Sequence, residues 1–485
     1  MRRLLIAAAL GATASAAFEP LAVPWLMVVV LAGFLALVRG LRTAPVRVVL
    51  LEGFVFGLAF MGPLIWWMNA VDRWAWVALV LAEAMFLAVI TWALRTAVHA
   101  PWWPVWAASV WTTGEQVRGA IPFSGFPWGR LSHTALDTPM EGWVRLVALP
   151  ATTWLMALMA GLLVVAVRDR RLGAAALAVG LPVVGWLLPT GIADGGATRT
   201  VALVQGDVPG AFLSWPRTEI FRLHLAETAR LDQDVDLVIW PENGSDLDVL
   251  TNEWARRSVT EQAARLDAPI LVGAILDGPT DDTAYNASVL VDGDGPHEDV
   301  YLKQNLVPYG EYVPFRRRLG PIVPRFDRDI PRDMIGGDEP GAMEVVGTTV
   351  GLTICWDIAY DGAVHGAVDR GAEFIAVQTS NASFMDFGRG VQPQQQWAIS
   401  RLRAVETGRW VTVASTNGIS GVVDPTGRVV EQLPPRQAGT IVQTVQTAHA
   451  RTPATRWGAG YTMVIHISSV AGWIFGNRKL RTERR

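Results

Sequence analysis

The order of apolar and polar positions divides the chain into unlike parts. From Leu4 to about Ile192, apolar runs follow one another with short polar breaks. From about Ala197 to Thr455 the chain is mixed, charged and turn-rich, and one last apolar stretch precedes the C-terminus. A helix needs about 20 apolar residues to cross roughly 30 Å of hydrocarbon. The pattern therefore predicts spanning helices over about 4–18, 21–38, 48–68, 74–94, 100–116, 143–167, 172–191 and 457–476. The first also has the form of an export signal, with Arg2 and Arg3 ahead of an alanine-rich run. The apolar runs behind it suit a first spanning helix equally well.

Positive charges alternate along these runs. Arg2 and Arg3, Arg39, Arg42 and Arg47, Arg95, Arg168, Arg170 and Arg171, and the cluster from Arg478 to Arg485 fall on one side, with Arg118 and Arg130 as exceptions. Loops left in the cytoplasm retain Lys and Arg, so both termini are expected there and the polar segment on the extracytoplasmic face. Tryptophans 66, 67, 74, 76, 102, 103, 106 and 111 cluster near helix ends. They read as interfacial anchors, or more sharply as the lining of a lipid doorway.

Within the polar segment the period changes. Short β-rich runs at Thr200–Gln205, Leu237–Trp240, Ile270–Ile275, Ala287–Val291, Val350–Cys355, Phe374–Gln378 and Trp410–Ser415 are predicted strands. Stretches of helical period lie at about 216–231, 251–266, 360–370 and 392–407. A hairpin is expected around Asp424–Pro425–Thr426–Gly427. Strands alternating with helices indicate an α/β layered domain. The expected organisation is 1–196 for seven membrane helices, 197–455 for the α/β domain, and 456–485 for an eighth helix with a basic tail.

Composition sharpens the membrane reading: 51% of the 485 residues are hydrophobic, 18% are charged, and there are 22 tryptophans. A net charge of −3 supplies no basic field for nucleic acid. A single cysteine, Cys355, excludes an intramolecular disulfide and a cysteine-based metal cage. The seven histidines form no metal-ligand pairing, so no cofactor is implied.

Three polar residues stand at the ends of predicted elements: Glu242 after Leu237–Trp240 and Pro241, Lys303 after Tyr301–Leu302, and Cys355 after Thr353–Ile354. A thiol with an ordinary pKa near 8.5 needs a base or a cation beside it to act as a nucleophile. Glutamate can take the proton, and lysine can hold both the thiolate and the oxyanion of a tetrahedral intermediate. Taken singly, a lone Cys is more often a buried packing residue, and Glu or Lys in a loop more often a solvated charge. Their distance in the chain leaves convergence open.

The blocks Trp240–Pro241–Glu242, Tyr301–Leu302–Lys303 running on to Leu306–Val307–Pro308–Tyr309–Gly310–Glu311–Tyr312–Val313–Pro314, and Ile354–Cys355–Trp356–Asp357 resemble the three signature blocks of the nitrilase superfamily. With Trp111 to Arg118 and Gly125–Phe126–Pro127–Trp128 in the apolar part, the chain resembles more narrowly the membrane-embedded apolipoprotein N-acyltransferase family. The resemblance implies an α-β-β-α sandwich carried by about eight transmembrane helices in a bacterial cytoplasmic membrane. It implies Glu242 as general base, Lys303 as oxyanion stabiliser and Cys355 as nucleophile. It further implies Glu311 holding the lysine, Trp356 supplying an oxyanion N–H, and Asp357, Trp215 and Asn381 supporting the site.

The implied reaction moves a fatty acyl chain from a phospholipid, through a Cys355 thioester, to the N-terminal S-diacylglyceryl-cysteine of a lipoprotein, without metal or nucleotide. Two rivals remain: a membrane-tethered amidase using the same three residues, and a non-enzymatic transporter or lipid-binding protein. Departures from the family pattern fall at Ala382–Asp386 and at Gln394–Gln395–Gln396, where a Gln-His pair is frequent. Arg401, Arg403 and Glu406 read as helix packing and ion pairing next to the site.

Overall fold

The computed structural model describes the chain apart from residues 190, 192–195, 209–217, 322, 324, 388–389 and 483–485. It contains two compact units, Met1–Thr190 together with Thr452–Arg485, and Gly191–Arg451.

The first unit is helical: Arg2–Ser15, Trp25–Arg39, Val46–Leu64, Arg73–Ala97, Trp103–Arg118, Glu141–Arg168, Leu172–Leu187 and Pro453–Thr482. Among the described residues, three of these are long and apolar enough to cross a membrane: Val46–Leu64, Arg73–Ala97 and Glu141–Arg168. Trp25–Arg39 and Leu172–Leu187 are apolar but shorter. The third helix stops at Leu64 rather than near 68, because Pro63 sits in its last turn and a 3₁₀ turn, Trp66–Ala70, follows.

Lipid is as apolar as leucine, so such helices associate by close packing of small residues. Gly53 and Gly57 lie against Arg73–Ala97 so closely that a Cβ would stand 2.3 Å from Thr91 Oγ1 or 2.7 Å from the Ala84 backbone. Buried charges are compensated. Arg118 donates to Glu83 at 3.0 Å and to the carbonyls of Phe126 and Gly129, each at 3.1 Å. Glu115 accepts from Trp111 Nε1, Leu131 N and Thr153 Oγ1 at 2.9, 3.0 and 3.1 Å. The Trp111–Arg118 block thus ties its helix to the Gly125–Trp128 loop.

The second unit is built on two sheets. Its strands are β1 (Thr198–Gln205), β2 (Leu237–Ile239), β3 (Ile270–Asp277), β4 (Thr283–Asp292), β5 (Gly295–Leu302), β6 (Asp333–Met334), β7 (Gly341–Val345), β8 (Thr348–Ile354), β9 (Phe374–Thr379), β10 (Val411–Ser415), β11 (Ser420–Val423), β12 (Val429–Leu433) and β13 (Gly439–Gln446). One sheet runs β13-β1-β2-β3-β4-β5 with β6 beside β4, and the other runs β12-β11-β10-β9-β8-β7.

The period-2 alternation of a strand sorts its residues between two faces. Val201 and Leu203 of β1 meet Val350, Leu352 and Ile354 of β8 between the sheets. Ala202 and Val204 turn outward onto Phe221, Ala255 and Val259, which line the helices Glu219–Ala229 and Glu253–Leu266. The other sheet carries Asp361–Asp369 and Val391–Thr407. The result is an α-β-β-α sandwich, as expected. Cys355 opens a 3₁₀ turn, Cys355–Ala359, instead of ending β8, which stops at Ile354. Strands β5, β6, β7 and β13 have no counterpart in the sequence reading: β6 has two residues, and β5 and β13 expose much of their length.

Candidate active site

Glu242, Lys303 and Cys355 come to the same end of the sandwich because each follows a strand. Glu242 lies beyond β2, Lys303 directly follows β5, and Cys355 directly follows β8. Strands β1, β2 and β3 pair in parallel, as do β8, β9 and β10. Carboxyl ends of such strands are where α/β sheets place ligands.

Gln378 on β9 joins the two sheets there. Its Nε2 donates to the Trp240 carbonyl at 2.7 Å, and its Oε1 accepts from Ser288 on β4. One residue past β9, the Ser380 N–H donates to Glu242 Oε2 at 2.8 Å. The chain bearing Glu242 can lie against β3 because position 273 is glycine, where a Cβ would stand 2.1 Å from the Pro241 carbonyl oxygen.

Lys303 is 1% exposed and sits between two carboxylates, with Nζ at 2.9 Å from Glu242 Oε1 and 3.0 Å from Glu311 Oε1. Burial would lower the ammonium pKa, but the carboxylates of Glu242, Glu311 and Asp357 outweigh it and hold Lys303 well above its ordinary value. It therefore stays charged. Asn286 completes the arrangement, its Nδ2 donating to the same two carboxylate oxygens at 2.7 Å each. Glu311 is fixed by the Val307 N–H at 2.7 Å.

Cys355 is buried and adopts φ +51°, a left-handed conformation costly for any residue with a Cβ. Burial and the charge of Glu242 push its thiol up to about 12, against the opposing pull of Lys303. At neutral pH the sulfur keeps its proton, and a carboxylate that can take it is part of the same charge cluster. The turn after Cys355 is held by Asp357, which accepts from Tyr301 Oη at 2.7 Å, from Asn305 N and Nδ2 at 2.9 Å each, and from Ile354 N at 3.2 Å. Trp356 donates its indole N–H to Tyr360 at 2.8 Å.

Asn381 is buried one residue beyond Ser380. It accepts from Ser415 Oγ at 2.8 Å and donates to Gln392 and Gln396 at 3.0 Å each. Arg403 donates to the carbonyls of Ile358 and Ala359 at 2.9 Å each and pairs with Glu406 and Asp361. Arg401 donates to Gly427 on the hairpin turn at 2.8 Å. Trp215 lies outside the described residues. Among the described residues, no group of three or more His, Cys, Asp or Glu side chains is placed to hold a metal.

The sequence reading missed Asn286, Asn305 and Thr379, and met Gln396 only as a departure from the family pattern, without a role. Single amides and hydroxyls within strands and helices carry no spacing signal, and only the pairing of β4 with β5 shows Asn286 beside Lys303.

Such a site, on such a sandwich, defines a carbon-nitrogen hydrolase domain, and residues 200–454 match that family. Residues 10–162 match the N-terminal domain of apolipoprotein N-acyltransferase. The protein is 34% identical over 463 residues to the apolipoprotein N-acyltransferase of Mycolicibacterium smegmatis, covering 86% of this chain and 76% of that one. The enzyme of that name from Nitrosomonas europaea is 28% identical, with 94% of each chain covered. The chain belongs to the apolipoprotein N-acyltransferase family. Among solved structures it is similar to an amidase from Nesterenkonia at 19% identity and TM-score 0.36, over 51% of this chain and 92% of that one. Saccharomyces cerevisiae Nit3 is similar at 18% identity and TM-score 0.36, over 51% and 90%.

Proposed function

We propose that this protein transfers a fatty acyl chain from a membrane phospholipid to the N-terminal S-diacylglyceryl-cysteine of lipoproteins. The observation that carries the reading is Lys303 clamped between Glu242 and Glu311 beside a strained, buried Cys355, in a chain of this family. Glu242 takes the thiol proton as sulfur attacks an ester carbonyl. Lys303 and the Trp356 N–H hold the oxyanion, and collapse expels a lysophospholipid that receives the proton. The α-amine of the lipoprotein cysteine then attacks the thioester, loses a proton to Glu242, and becomes an amide as the thiol is restored. Glu311 and Asn286 keep Lys303 in place, Asp357 keeps the turn after Cys355, and Asn381 braces the loop beyond Ser380.

The same reading puts eight helices across the cytoplasmic membrane, within 1–196 and 456–485. Residues 197–455 lie on the extracytoplasmic face and both termini in the cytoplasm. Alternating arginines in the connecting loops support this orientation. Attachment to a bilayer keeps both lipid substrates within lateral reach.

Intact-protein mass spectrometry tests the reaction. Wild type incubated with phospholipid should gain one fatty-acyl mass that a diacylglyceryl peptide discharges, and Cys355→Ala should gain none. Turnover of a short amide in preference to phospholipid would instead make the protein an amidase.

A further inference from the structure

Gln396 belongs to none of the blocks that define the family resemblance, yet it touches the main chain of the nucleophile. It is buried on the helix Val391–Thr407, and its Nε2 donates to the Cys355 carbonyl at 2.9 Å. Its Oε1 accepts from Asn381 Nδ2 at 3.0 Å, from Thr379 Oγ1 at 3.2 Å and from Gln392 Nε2 at 3.2 Å. The amide can face only one way. A carbonyl oxygen cannot donate, so the nitrogen must lie toward Cys355 and the oxygen toward the three donors.

A trans peptide is planar, and its C=O and N–H point in opposite directions. Fixing the Cys355 carbonyl therefore fixes the direction of the Trp356 N–H, which belongs to the same peptide unit. We infer that Gln396 is a positioning residue for the oxyanion hole, aiming the Trp356 N–H by anchoring the Cys355 carbonyl. The inference rests on the acyl-transfer reading for its chemistry. Asn381, held by Ser415, and Gln392 set the angle of the Gln396 amide. The amide also holds the carbonyl of a residue kept at φ +51°.

Two reactions of the same sulfur separate this role from a general effect on the thiol. With p-nitrophenyl butyrate, sulfur bonds to the carbonyl carbon, the π electrons move to oxygen, and collapse breaks the C–O bond and releases p-nitrophenolate, so an oxyanion must be held. With iodoacetamide, sulfur displaces iodide at a saturated carbon and no oxyanion forms. Gln396→Met in the full-length detergent-solubilised protein should acylate from the ester about 100-fold more slowly than wild type, the scale of a lost oxyanion donor. Its alkylation rate at the same pH should stay within about 3-fold, and its melting temperature close to wild type.

Equal losses in both reactions, or no loss of acylation, would overturn the inference. If Gln396→Met does not fold, Gln396→His carries the test, because a ring N–H can still donate to the Cys355 carbonyl. Acylation within about 5-fold of wild type supports the role, and a 100-fold loss with alkylation intact overturns it. Wild type that takes butyryl from the ester but never an acyl chain from phosphatidylethanolamine vesicles would defeat the phospholipid donor and leave the comparison of ester with iodoacetamide standing.

Discussion

Cys355 and Glu242 pull against each other. Burial disfavours the thiolate, and the carboxylate proposed to accept the thiol proton is also a charge that opposes it, so the thiol stands at about 12. Only the thiolate is alkylated, so the iodoacetamide rate should climb about tenfold per pH unit through pH 9 with no plateau. Glu242→Gln removes the opposing charge while Glu311 still pairs with Lys303. Its Cys355 should alkylate several-fold faster than wild type at pH 8, while acyl transfer falls by at least about 100-fold for want of a base. Parallel loss of both rates would show that Glu242 acts through the fold instead.

Elements deliver these side chains, and some do so by what they lack. Gly273 on β3 permits the close approach of the Glu242 turn, and the Ser245 N–H donates to its carbonyl at 3.0 Å. Gly273→Ala would force a Cβ against the Pro241 carbonyl. It should cost about 1–3 kcal/mol of stability and slow Cys355 acylation by tenfold or more, measured by chemical denaturation and mass spectrometry on one preparation. Strand β3 was legible from its short run of apolar, β-prone residues, but the meaning of its glycine was not, since nothing local to Ile270–Ile275 announces a neighbour that follows β2. The central strands were readable because both their faces are buried and their residues are β-branched. Strand β5, with His297, Glu298 and Asp299 exposed along it, reads as loop until pairing with β4 makes it a strand. Glu242, Lys303 and Cys355 were nameable from their blocks, whereas the amides that steady them were not, because Asn and Gln earn their place only through partners distant in sequence.

On the scale of the molecule, one buried histidine sets an acid limit. His224 is enclosed by Gly206 and Trp240, and burial brings it down to about 4, against the hydrogen bond from its ring Nδ1 to the Ile220 carbonyl at 2.9 Å. An unfolded chain takes up the proton near pH 6.5 and the folded one only near 4. The stability is thus intact above pH 6.5 and is lost as pH falls toward 4, by roughly 3 kcal/mol. Melting followed by tryptophan fluorescence should fall across that window, and His224→Leu should flatten the fall. A wild-type profile unchanged between pH 7 and 4 would remove His224 as the cause.

Orientation can be read with the same economy of thiols. In a Cys355→Ser background, an impermeant maleimide should label Glu253→Cys in intact cells and Arg2→Cys only after lysis. The reverse pattern would invert the proposed topology.

The solitary thiol also has a consequence for chemistry the protein does not perform. Peroxide attacks thiolate far faster than thiol, and Cys355 keeps its proton at neutral pH. No second cysteine exists in the chain to capture a sulfenic acid as a disulfide. On the proposed acyl-transfer reading, a nucleophile that holds its proton at rest and yields it to a neighbouring base during attack can work in an oxidising compartment without a dedicated reductase, and its resting form is its own protection.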